Sequence, residues 1–156
     1  VGSATHEESS MQTVLYILLA ILMGGVMSVY LPMNSSVSRY LRSPVAANVV
    51  FYLVALITTI LLVALSGDFR AIQQLKAVPA YLLLAGVMSA LIVLGATFLI
   101  PKIGARKLFV LQVAGQVLVA IVVSHLGILE SPKDPLTVRK LVGAALLLLG
   151  AVVSVA

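Results

Sequence analysis

An all-α integral membrane protein with five transmembrane helices is the fold class this sequence predicts, and three observations predict it. Of its 156 residues, 62% are hydrophobic and 10% charged, against roughly 45–50% and ~25% in soluble domains. Mean hydropathy is +1.19. Charged residues fall at 7–8, 39–42, 68–76, 102–107 and 130–140, and the stretches between them hold none. A spanning helix needs about 20 apolar residues, rising 1.5 Å each, to cross a core of about 30 Å.

Five segments meet that length. The first runs from about residue 13 to 37, with Pro32 near its end, and the second covers 45–65. The third covers 81–100, the fourth 108–126 and the fifth 138–156. Pro44 and Pro79 stand where a helix begins, a position that tolerates a missing amide. Pro101 is expected to stop the third helix, and Gly104 to turn the chain. In "DPLTVRK", Asp134 or Thr137 is available to cap the last helix. The connections, "SRYLRSP", "SGDFRAIQQLKAVP", "PKIGARK" and "GILESPKDPLTVRK", are too short to hold a soluble domain. The leading "VGSATHEESS" is polar and precedes Met11, so residues 1–10 are expected to be a vector-derived or disordered tail, with Met11 the natural start and no cleaved signal peptide.

Several function classes drop out. The chain has no cysteine, hence no disulfide framework, thiolate metal site or cysteine nucleophile. Its two histidines stand apart, which argues against a metal centre, and no cofactor motif is present. A net charge of +5 suggests nucleic acid at first sight. However, the basic residues sit in twos and threes at segment ends, where they anchor helices among membrane lipids. No acid, base or nucleophile cluster within the spans supports an enzyme.

The distribution of Lys and Arg carries further information. With five spans the termini lie on opposite sides. The N-terminal side holds Arg70, Lys76, Lys133, Arg139 and Lys140, and the other side Arg39, Arg42, Lys102, Arg106 and Lys107. Lys/Arg asymmetry orients membrane proteins, and here the two sides are equal. Either the balance is fortuitous, or copies insert both ways and pair antiparallel, which would build by assembly an inverted repeat of the kind found in transporters.

Extended stretches resemble a known family. "PKIGARKLFVLQVAGQVLVAIVVSHLGIL", with Pro101, Gly104, Gly115 and Gln116, and the closing Gly143 and Gly150 are similar to the small five-helix, YdcZ-type branch of the drug/metabolite transporter superfamily. So is "MNSSVSRYLRSPVAANVVFYLVA", with Asn34 and the Ser43-Pro44 pair. Two departures accompany the match. Ser124 and His125 stand where the family often carries an acidic residue, and no glycine occurs near Leu53 or Val54. The resemblance implies half of a ten-helix inverted-repeat transporter in a multi-pass cell membrane setting, the bacterial inner membrane. It implies two five-helix units in inverted orientation, which with the balanced charges fits an antiparallel homodimer, or a pair with a paralogous chain, carrying a small organic solute; it names no substrate.

Polar residues inside the spans are either links between helices or parts of a site. Gln112 and Gln116 lie one turn apart on one face. Gln116 is expected to line a substrate cavity with Gln112 as its support, while both also suit helix linkage. Asn34 follows Pro32, and either lines a broken-helix site or caps the first helix. Asn48, in the first turn of the second helix, shares a face with Tyr52 and either points into a cavity or reaches the headgroups, while Ser89 lies on a stripe with Ala85, Val93 and Thr97 that either lines a pore or packs on a neighbour; Asn48, Tyr52 and Ser89 are candidate substrate contacts. Ser28, Thr58, Thr59, Ser89 and Thr97 can each bond a carbonyl of their own helix. His125 is expected to be an interfacial anchor. Gly143, Gly150 and Ser154 form a small-residue stripe, the expected dimer seam; Gly24 with Ser28 and Gly86 with Ala90 are further close-approach faces. With no carboxylate inside a span, direct proton coupling is disfavoured and a neutral or zwitterionic solute fits better. The alternatives are a non-transporting structural or accessory protein and a lipid-translocating protein of the same architecture.

Overall fold

The computed structural model describes residues 2–129 and 132–156, with side chains from Met11 onward. The tail expected at residues 1–10 lies outside the described side chains. Helix α1 covers Gly2–Leu41, α2 Pro44–Ser66 and the short α3 Phe69–Ile72. Two 3-10 segments follow, Gln73–Ala77 and Ala80–Leu83, then α4 (Leu84–Ile103), α5 (Ala105–Leu126) and α6 (Val138–Val155). Five stretches are long and apolar enough to cross a membrane: Met11–Leu41, Pro44–Ser66, Ala80–Ile103, Ala105–Leu126 and Val138–Val155.

Local chemistry explains most of the boundaries. Arg42 takes a left-handed conformation with φ of 54° and ends α1. Ser43 then caps α2, its hydroxyl accepting from the Ala46 amide at 3.1 Å, with Pro44 in the first turn as expected. Gly67 (φ 73°) and Gly127 (φ 63°) close α2 and α5. Pro79 heads a 3-10 turn instead of an α-helix, so regular α4 starts only at Leu84. Thr137, not Asp134, caps α6, and Asp134 pairs instead with Lys140. The His125 Nδ1 accepts from the Leu136 amide at 3.2 Å and ties the last connection to the end of α5.

Three expectations at helix ends are corrected. Helix α1 continues to Leu41, so Asn34 is seven residues short of its end and caps nothing. Pro101 does not stop the third spanning helix; α4 carries it internally and runs on to Ile103. A proline in a last turn removes one hydrogen bond without forbidding helical geometry, and Gly104, at φ 83°, makes the turn. Helix α5 begins at Ala105, ahead of the expected Leu108.

The chain forms two compact units, Val1–Phe98 and Leu99–Ala156. In the first, α1 packs on α2, and the buried apolar side chains are Leu31, Ala47, Val93 and Ala96. In the second, α5 packs on α6 over Leu108, Ala114, Ala144 and Ala151. Alanine, with one methyl, allows these close helix contacts. Within a single chain Gly24, Gly86, Gly143 and Gly150 make no such contact: a methyl built on any of them meets nothing within 4 Å. Most large apolar residues of the spans are exposed, as suits side chains whose solvent is lipid.

Candidate functional site

Two polar clusters of the first unit meet at α4. Thr97, 1% exposed, is the centre of one cluster. Its hydroxyl donates to the Val93 carbonyl of its own helix at 2.8 Å, and accepts from Asn34 Nδ2 on α1 at 2.8 Å. Ser35, next to Asn34, donates to the Thr97 carbonyl at 3.3 Å. That carbonyl is available for a covalent reason. The amide that would bond it in a regular helix belongs to residue 101, and Pro101 has none. The proline read from the sequence as a stop therefore supplies an acceptor, which the Ser35 hydroxyl uses. Asn34, Ser35 and Thr97 are all buried.

A second cluster joins α2 to α4. Asn48 Nδ2 donates to the Ala90 carbonyl at 3.1 Å. One turn later, the Tyr52 hydroxyl and the Ser89 hydroxyl share a hydrogen bond of 2.7 Å. Phe51 stands edge-on to Tyr52 with ring centroids 5.1 Å apart, and stacks on Tyr30 of α1 at 5.6 Å. The Asn48 Oδ1 is buried and has no hydrogen-bond partner among the described residues.

Of the six residues expected to contact substrate, the fold thus brings Asn48, Tyr52 and Ser89 into one cluster and places Asn34 in the other. Gln112 and Gln116 lie on α5, in the second unit. The Gln112 carboxamide oxygen is buried without a partner, and Gln116 is exposed. An exposed carboxamide on a helix this apolar has no lipid group to bond. Ser28, Thr58 and Thr59 bond carbonyls of their own helices, as expected. Sequence reasoning set Thr97 aside for the same self-satisfying chemistry and missed Ser35; the signal was Pro101, four residues beyond Thr97.

The expected dimer stripe lies on α6. Gly150 and Ser154 line an open groove of about 330 Å³ between α5 and α6, with Phe109, Val113 and Leu147 as walls. Arg106 donates to both the hydroxyl and the carbonyl oxygen of Ser154, the former at 3.0 Å. A cation at the C-terminal end of α6 satisfies free carbonyls and opposes the helix dipole.

Comparison with known families decides what this five-helix arrangement belongs to. The family described as "Putative inner membrane exporter, YdcZ" matches residues 15–153. The chain belongs to that family. The match reaches into all five spans and includes every residue of both clusters. YdcZ membership makes the chain a multi-pass membrane protein of an inner membrane exporter family, as the resemblance in its sequence implied. No curated protein and no solved structure matched the chain.

Proposed function

We propose that the protein is one half of a transporter: two copies, inserted in opposite orientations, form a ten-helix antiparallel homodimer that carries a small organic solute by alternating access. The observation that carries this reading is the Asn48, Tyr52 and Ser89 cluster, polar chemistry at a helix contact that includes a buried carboxamide oxygen without a partner among the described residues. The balanced Lys/Arg count supports insertion in both orientations. Exporter family membership supports transport, and the absence of carboxylates inside the spans favours a neutral or zwitterionic solute.

In this reading Asn48, Tyr52 and Ser89 of the first unit contact the solute, and Gln116 is proposed separately as a solute contact of the second. Gln112 supports Gln116, and Asn34 holds α1 to α4 beneath the site. The groove at Gly150 accepts the second copy, with Gly143 and Ser154 on the same stripe. The setting is the bacterial inner membrane.

Proteoliposomes loaded with a metabolite extract test the proposal. Solutes leaving vesicles that hold the wild-type protein are identified by mass spectrometry and compared with vesicles holding Gln116→Ala. Loss of one solute class from wild-type vesicles, reduced in the variant at equal assembly, is expected. Identical contents in wild-type, variant and protein-free vesicles would oppose transport, and loss of assembly in Gln116→Ala would mark the residue as a helix link.

A further inference from the structure

We infer that Asn48 reads the solute: its side-chain oxygen accepts a hydrogen bond from a neutral hydroxyl or amide N–H carried on a small apolar or aromatic body. The inference rests on the transport reading above and gives that site a substrate class.

Chemistry fixes which end of the Asn48 carboxamide is free. The Ala90 carbonyl, 3.1 Å away, can only accept, so the amino end must face it. The end left over is an acceptor. This Oδ1 is buried and unpaired among the described residues, whereas the large majority of buried polar atoms are bonded. In a membrane span no bulk water stands ready to repair the deficit.

The surroundings narrow the donor. Tyr52, one turn along α2, presents a ring on the same face, and Phe51 and Tyr30 extend the aromatic surface. An apolar or aromatic body suits these walls. A cationic head would exchange its hydration for one carboxamide oxygen, with no carboxylate in any span to compensate. An anionic head would meet an acceptor. A neutral donor satisfies the oxygen at the least desolvation cost.

The oxygen is sealed in this structure, so a solute reaches it when α2 and α4 part at the Asn48 contact. Closing that contact empty leaves the acceptor unpaired, and closing it on a donor does not. The loaded form is therefore favoured in the closed state by the differential interaction alone.

The test uses the full-length protein in dodecyl maltoside micelles, with matched probes that differ in one donor. Benzyl alcohol is paired with benzyl methyl ether, benzamide with N,N-dimethylbenzamide, and benzylammonium serves as the cation. Equilibrium dialysis against empty micelles measures binding. Each donor probe should bind the wild-type protein about tenfold more tightly than its methylated partner, the size expected for one buried hydrogen bond. The discrimination should vanish in Asn48→Leu without a change in assembly, and Asn48→Asp should gain preference for benzylammonium. Equal binding of methylated and unmethylated probes, or no binding of any probe, would overturn the inference. So would loss of assembly in Asn48→Leu with discrimination retained in Asn48→Asp. Flux without donor discrimination removes this inference and leaves transport; discrimination without flux does the reverse.

Discussion

Ser35→Ala should destabilise the protein only while residue 101 is proline. The Ser35 hydroxyl donates to the Thr97 carbonyl at 3.3 Å, an acceptor left open by the missing amide at Pro101. Hydrogen bonds between membrane helices average about 0.6 kcal/mol in double-mutant cycles and reach about 1.7 kcal/mol. A long bond of this kind belongs in the lower half, at about 0.6–1 kcal/mol. Pro101→Ala restores the amide, and the Thr97 carbonyl then takes its helical bond. In that background Ser35→Ala should cost close to nothing, which gives a coupling of about 0.6–1 kcal/mol, or roughly three- to fivefold in the unfolding equilibrium. Equilibrium unfolding of the four proteins in mixed micelles of a mild detergent and dodecyl sulfate measures each corner of the cycle. If Ser35→Ala costs the same in both backgrounds, the carbonyl was not waiting for Ser35 and the account of Pro101 is wrong.

Other consequences follow from the same contacts. Thr97→Val removes the acceptor of the buried Asn34 amide and should cost about 1–2 kcal/mol by the same unfolding assay, with part of the loss recovered in Asn34→Leu/Thr97→Val. Arg106→Gln withdraws the cation from the end of α6; amide exchange at residues 152–156 should quicken, with a loss of about 0.3–1 kcal/mol. Thr137→Ala deletes the cap of α6 and should cost about 1 kcal/mol, whereas Thr137→Asn should keep most of it, both read by thermal unfolding.

The five spans were legible because hydrocarbon imposes a length and excludes charge, and both are written in composition. Helix starts were legible where a single residue decides them: Pro44 stands at the start of α2, and Thr137 was one of two candidates for the cap of α6. Pro101 was misread because its local effect, one lost hydrogen bond, is identical whether the helix ends there or continues. Only Gly104, at a positive φ, marks the true end.

Pairings across helices were the least legible part. Tyr52 and Ser89 were each singled out as polar residues in apolar runs, but that they meet depends on how α2 crosses α4, which no periodicity encodes. Thr97 was hidden by its ability to bond its own helix, which it does while also accepting from Asn34. The glycine stripes find no partner within a single chain, and the seam expected at Gly143, Gly150 and Ser154 concerns a second copy. Small residues permit close approach without requiring it, and within each unit the buried small residues are alanines: Ala47 and Ala96 in the first, Ala114, Ala144 and Ala151 in the second.

Orientation in the membrane is the measurement that bears most directly on the proposed antiparallel dimer. The chain has no cysteine, so single cysteines report without background. Gln74→Cys lies in the connection between α2 and α4 and Ala105→Cys at the first residue of α5, positions assigned to opposite sides of the membrane. With a membrane-impermeant thiol reagent applied from one side of intact cells or vesicles, each is predicted to label about half its molecules, and the remainder after permeabilisation. Complete labelling of one and complete protection of the other would show a single orientation and contradict the antiparallel homodimer.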